Sequence, residues 1–170
     1  LRPFLTELYA ALHCHAPSNA PANCIWRRQV FPALSWVRVF LGEVVGPLQR
    51  DYWLSAYSTA AGAIEFVLDA SPWGLGGYLV VRGVVTSWFS CGLSDAELSA
   101  LAIERGSCRS QQAVEALAAL VALRCWAAAW QSRRCQLRLR SDSISALILV
   151  LKLKTSGKAT GIVARELALD

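Results

Sequence analysis

The chain has 170 residues, is 55% hydrophobic and only 17% charged, and carries a net charge of +5. That length suits one domain with an appendage, and the high apolar fraction excludes a disordered chain. The longest charge-free run, Leu8 to Trp26, is broken by His13, His15, Pro17, Ser18, Asn19, Pro21 and Asn23, so no stretch has the roughly 18 apolar residues of a spanning helix.

In chain order, residues 1–12 show helical spacing at Leu1, Phe4, Leu5, Leu8 and Leu12. Residues 16–24 form a Pro/Asn/Ser-rich loop. Residues 25–57 carry Trp26, Phe31, Leu34, Val37, Phe40 and Leu41 at spacings of three and four, predicting two helices around Pro32 and Pro47. Residues 1–60 are thus expected to be a small α-helical appendage, and residues 61–170 a separate α/β domain.

At Ala63 the texture changes. Ile64 to Leu68 predicts a first strand ending at Asp69, Ala70 to Gly77 a turn, and Tyr78 to Val81 a second strand. A tight turn at Arg82-Gly83 leads to a third strand over Val84 to Phe89. Residues 91–110 read as a polar loop. Gln111 to Gln131 is Ala- and Leu-rich without Gly or Pro and predicts one long helix, with Val114, Leu117, Val121, Cys125 and Ala128 on one face. Gln136 to Arg140 predicts a fourth strand, Ile144 to Lys152 a helix capped from Ser141 to Ser143, Lys154 to Thr160 a basic loop, and Gly161 onward a last helix. This order implies a mixed sheet with crossover helices.

The chain holds no Met and begins at Leu1, and Asp170 ends a helical run, so we expect a piece of a longer reading frame or a processed product. No basic n-region with an apolar core opens it, so no secretory signal is visible. None of the six cysteines forms a C-x-x-C pair, which argues against structural zinc, and the missing signal leads us to expect reduced thiols in an intracellular setting, cytoplasm or nucleus. His13, Cys14, His15 and Cys24 read as incidental loop residues, and Cys125 as a small buried hydrophobe. Of the 17 basic residues 14 are Arg, which favours a polyanionic partner; codon bias in a GC-rich genome would produce the same excess.

Three acids stand out. Asp69 ends the first strand, Glu115 lies one turn into the long helix, and Asp142 ends the fourth strand. If the long helix is a crossover, the first and fourth strands pair in parallel and both aspartates lie at one sheet end. Ala118, Ala119 and Ala122 share the face of Glu115 and let the helix approach the sheet closely. Converging carboxylates repel unless cations neutralise them. Hard oxygen ligands suit Mg²⁺ or Mn²⁺, and two such ions are standard apparatus for phosphodiester hydrolysis. Gly74, Gly76 and Gly77 do not form a dinucleotide loop, because a strand and not a helix follows them.

The stretches FVLDASPWGLGGYLV, QQAVEALAALVALRCW and LRLRSDSISALILVL resemble the ribonuclease H domain of retroelement reverse transcriptases. The flavour is that of DIRS-like, tyrosine-recombinase retrotransposons, whose third acid is followed by a helix, a Gly-containing loop and an A-R-E-L helix, as in GKATGIVARELALD. The likeness covers roughly residues 63–170; residues 1–60 resemble more loosely the thumb-to-connection stretch. It implies a ribonuclease-H-like fold, three antiparallel strands then a parallel fourth, that cleaves the RNA strand of an RNA–DNA hybrid with two Mg²⁺ (or Mn²⁺) ions. Asp69 would bridge both ions, Glu115 would bind one, and Asp142 would hold the nucleophile-side ion. Ser71, Ser143, Arg140, Lys154 and Lys158 would contact the nucleic acid, whose hybrid form is read by shape and 2′-hydroxyls. The remaining partner would be the polymerase portion of the same polyprotein, with no membrane.

The family carries a fourth acid on a later helix, after a further strand. Asp170 precedes that strand, so we expect the fourth acid beyond it, and weak metal binding with slow cleavage from this chain. Two other readings stay open: a non-catalytic nucleic-acid-binding or structural remnant, and another enzyme of the same superfamily, such as an integrase-like nuclease.

Overall fold

The structure, a computed structural model, describes residues 2–13, 21, 24–42, 64–131 and 135–169. Helices α1 (Arg2–His13) and α2 (Arg27–Leu41) come first. Then follow β1 (Ile64–Ser71), β2 (Gly74–Val81), β3 (Val84–Gly92), α3 (Asp95–Leu101), α4 (Gln111–Cys125), the short α5 (Ala127–Trp130), β4 (Leu137–Arg140), α6 (Ile144–Lys152) and α7 (Lys158–Leu169). The sheet order is β3-β2-β1-β4. β2 runs antiparallel to β1 and β3, while β4 pairs with β1 in parallel. The fold is therefore α/β with an open four-stranded mixed sheet.

Alternation along β1 explains which face carries the core. Ile64, Phe66 and Leu68 are buried, while Glu65, Val67 and Asp69 leave the other face. Leu75 and Leu79 of β2 join the buried set. Helix α4 packs on β1 and β2 with one side and on α6 and α7 with the other. Its first three turns are consequently buried almost all round, from Ala113 to Ala122 with few breaks. Small residues are what such a sandwiched helix can accommodate at close range.

Five sequence expectations need correction. The turn expected over Ala70 to Gly77 is only Pro72-Trp73, since both strands run into it. The glycines lie inside β2, where space and not turning requires them: a Cβ on Gly77 would stand 2.5 Å from Leu68 Cδ2, and one on Gly74 2.5 Å from the Cys91 carbonyl oxygen. The expected polar loop after β3 contains α3, opened by a capping box in which Ser94 Oγ accepts from Glu97 N at 3.2 Å and Glu97 Oε2 accepts from Ser94 N at 2.6 Å. The long helix breaks at Trp126, whose ring wedges between Phe66 and Phe89 at centroid distances of 5.2 and 5.3 Å and whose indole donates to Ser87 Oγ. Cys125, just before that break, is exposed rather than buried, because the core side of the helix end is taken by Trp126. Finally, α7 begins at Lys158, so the basic loop is shorter than expected; Thr160 Oγ1 bonds the Gly157 carbonyl and the Thr155 hydroxyl at this start.

Pro32 lies within α2. The helix expected around Pro47, most of the loop at residues 16–24 and the proposed boundary at residues 60–61 lie outside the described residues. Phe4 of α1 is fully buried against Phe40, and Arg165 of α7 donates through Nε to the Pro3 carbonyl at 3.3 Å, so α1 meets the α/β unit through α7.

Candidate active site

Asp69 does not end the strand as expected, since β1 runs on through Ala70 and Ser71 to the hairpin turn; it stands on the open face within β1, exposed, with Oδ1 accepting from the Ala70 amide at 2.9 Å. The parallel register pairs Val67 with Arg140. Two residues further along come Asp69, still paired within β1, and Asp142, two residues past the end of β4, so both lie toward the same end of the sheet. Asp142 is exposed as well.

Helix α4 brings the third acid to that end. Glu115 is half-buried. Its Oε2 accepts from the Ser143 hydroxyl, and its Oε1 accepts from Gln111 Nε2 at 2.7 Å. The same Gln111 amide nitrogen donates to the Ala70 carbonyl at 2.8 Å. Glu115 is thereby tied on one side to the residue after Asp142 and on the other, through Gln111, to the residue after Asp69. Gln111 was not among the residues singled out from sequence. Its place one turn before Glu115 on the same helix face was the available signal.

The start of α4 is itself pinned to the β1–β2 turn. Gly106 donates its amide to the Pro72 carbonyl at 2.9 Å, and the Trp73 ring lies over Gly106 so closely that a Cβ there would stand 2.7 Å from it. Gly106 also has φ +77, a left-handed conformation that favours glycine. Ser110, buried just before α4, donates to the Glu104 carbonyl at 2.8 Å and closes the same loop.

The other residues expected at a nucleic-acid contact are placed as follows. Ser71 serves the hairpin turn, accepting from the Trp73 amide at 3.3 Å. Ser143 is 8% exposed and caps α6, accepting from the Ala146 amide at 3.2 Å while donating to Glu115; its hydroxyl acts inside the protein. Arg140 is 69% exposed at its side chain and pairs with Glu65. Lys154 is exposed in the loop after α6, and Lys158 is exposed as the first residue of α7. Asp170 lies outside the described residues.

A cleft of about 350 Å³ opens where α4 and α7 begin, lined by Glu104, Ser107, Arg109, Gln112, Lys158 and Thr160 among others. Asp69, Glu115 and Asp142 are not among its lining residues. Arg109 and Lys158 give it two positive charges against one from Glu104.

The donor chemistry of Asp69, Glu115 and Asp142 is that of a hard divalent cation. Their carboxylates are not drawn together, however: among the described residues no group of three or more His, Cys, Asp or Glu is close enough to hold a metal ion. Like charges keep apart, and Glu115 instead satisfies its oxygens on Ser143 and Gln111. No helix among the described residues is long and apolar enough to cross a membrane. The five described cysteines, Cys24, Cys91, Cys108, Cys125 and Cys135, are free thiols. No protein-family model, no curated protein and no solved structure matches this chain.

Proposed function

We propose that this chain is the ribonuclease H portion of a retroelement reverse transcriptase and hydrolyses the RNA strand of RNA–DNA hybrids. One observation carries the reading: Glu115 is bonded to Ser143 and, through Gln111, to Ala70, so the helix acid is tied to the residues that follow Asp142 and Asp69. Three acids from three elements at one sheet end, on a sheet with three antiparallel strands and a parallel fourth, is the arrangement the resemblance implies.

Divalent Mg²⁺ or Mn²⁺, when bound, would supply Lewis-acid stabilisation and an activated water. Asp69, Glu115 and Asp142 are the residues that would hold it. Gln111 and Ser143 act on Glu115, holding its carboxylate against β1 and α6. The Arg109–Lys158 cleft offers two cations to a backbone phosphate. Lys154 and Arg140 extend the basic surface, and contacts of this kind read shape and charge rather than base sequence.

The test is an RNA–DNA hybrid labelled on each strand and incubated with the chain in Mg²⁺ or Mn²⁺. The RNA strand is expected to be cut, slowly, and the DNA strand to stay intact. Asp69→Asn, Glu115→Gln and Asp142→Asn should each abolish the cleavage. Hybrid binding should weaken with salt, and Lys158→Ala should lower the slope of log affinity against log salt by about one. Cleavage indifferent to all three acid substitutions would refute the reading. Salt-sensitive hybrid binding without any cleavage would instead favour the non-catalytic remnant.

A further inference from the structure

Helix α2 packs through one side only. On its inner side Ala33 is fully buried, and Trp36 and Phe40 meet Phe4 of α1 at ring-centroid distances of 6.4 and 5.3 Å. Its outer side holds Arg27, Phe31, Leu34, Arg38 and Leu41, spaced by four, three, four and three residues. That spacing keeps all five on one stripe along the helix. All five are exposed, Phe31 by 52%, Leu34 by 50% and Leu41 by 56%.

The charge on this helix has one sign. Residues 24–42 hold Arg27, Arg28 and Arg38 and no Asp or Glu. Among the described residues none of the three arginines has an ion pair. The Arg27 guanidinium lies over the Phe31 ring, 5.3 Å from its centroid, and that of Arg28 over Trp26 at 5.8 Å. The rings hold these cations against the helix and leave their charge uncompensated.

Charge and spacing together select the occupant. A lipid surface suits a helix with its basic residues on the face away from the apolar one. Here Arg27 and Arg38 sit within the apolar stripe, so immersing Leu34 and Leu41 would desolvate both cations. A second copy would set three more arginines against these three, with no acid between them. A nucleic-acid backbone offers phosphates to the arginines but leaves Leu34 and Leu41 in water. A helix with an apolar seam flanked by carboxylates satisfies both sets of groups. Its seam packs on Phe31, Leu34 and Leu41, and its carboxylates meet Arg27 and Arg38.

We propose that the outer stripe of α2 docks an acidic amphipathic helix from another chain. The inference stands apart from the cleavage reading, because no acid of the sheet and no divalent ion takes part. A helix of this length spans about 22 Å. The interface is therefore smaller than the roughly 1,600 Å² of a standard complex, and the expected affinity is micromolar.

The probe is a labelled helical peptide of about three heptads, with leucines along its seam and glutamates flanking them. A second peptide carries lysines in place of the glutamates. Fluorescence anisotropy with the whole chain, in EDTA, reads both. The glutamate peptide should bind at least about tenfold tighter than the lysine peptide at low salt, with the gap narrowing as salt rises. Arg27→Glu combined with Arg38→Glu should reverse the preference. Leu34→Gln should weaken the glutamate peptide about tenfold, the low end for one buried leucine. Circular dichroism should show every variant folded as the wild type, since the replaced side chains are exposed. Equal binding of the two peptides, or a preference that survives the double substitution, would overturn the proposal. So would vesicles of phosphatidylcholine and phosphatidylserine, or an RNA–DNA hybrid, that bind the wild type but not Leu34→Gln while neither peptide binds. EDTA and the intact sheet acids separate this result from the cleavage assay: either can fail alone.

Discussion

Replacing Ser143 tests the joint between the helix acid and the fourth strand. Its hydroxyl donates to Glu115 and accepts from the Ala146 amide at the start of α6. Ser143→Ala removes both bonds. A lost N-cap costs about 1 kcal/mol, and a lost hydrogen bond to a charged group about 1.5–3 kcal/mol. One hydroxyl serves both, and Glu115 keeps Gln111, so the expected loss is about 2–3 kcal/mol. In a chain of this size that lowers the melting temperature by about 5–10 °C. Two further variants isolate the contact with Glu115. Asn caps as well as Ser and brings an amide donor, so Ser143→Asn should stay within about 1 kcal/mol of the wild type. Asp also caps well, but at neutral pH it sets a second carboxylate against Glu115. Two like charges about 4 Å apart repel by about 4 kcal/mol at an effective dielectric of 20. Ser143→Asp should therefore be the least stable of the three. Its deficit should shrink as pH falls and one proton is shared between the carboxylates. Urea unfolding followed by circular dichroism reads all three variants. If Ser143→Asp matched Ser143→Asn at neutral pH, Glu115 would not face Ser143 and the assembly of the acid site would be wrong.

Two further predictions concern the sheet that carries the site. Gly77→Ala should destabilise the fold by about 1–3 kcal/mol, because the new Cβ must push Leu68 and the Val67 carbonyl from 2.5 and 2.9 Å; unfolding midpoints check this, and an unchanged midpoint would mean that β2 does not pass so close to β1. Trp126→Ala should cost about 3–5 kcal/mol through the cavity left between Phe66 and Phe89. Near-ultraviolet dichroism should report loosened aromatic packing in that variant, whereas an exposed Trp126 would leave the spectrum and the midpoint nearly as they were.

Elements whose pattern is local were legible in the residues alone. β1 alternates, α6 begins at a Ser cap, and α1 repeats every three to four residues, so each could be read without knowing its neighbours. The positions of Asp69, Glu115 and Asp142 followed from the same reading, because a strand end and the first turn of an Ala-rich helix are local features. The capping box that opens α3 was equally local; Ser94 and Glu97 three residues on were the unread sign. The rest depends on contacts between elements distant along the chain. Whether Gly77 bends the chain or lies flat in a strand depends on Leu68 across the sheet. The break at Trp126 depends on Phe66 and Phe89, both distant in sequence and each drawing the indole off the helical path. Cys125 is exposed for the same reason. The bond from Gln111 to Ala70 spans 41 positions, and the one from Ser143 to Glu115 spans 28. Neither can be read from spacing, because a side chain finds its partner through the packing of α4 between the sheet and α6, and that packing is a property of the whole chain.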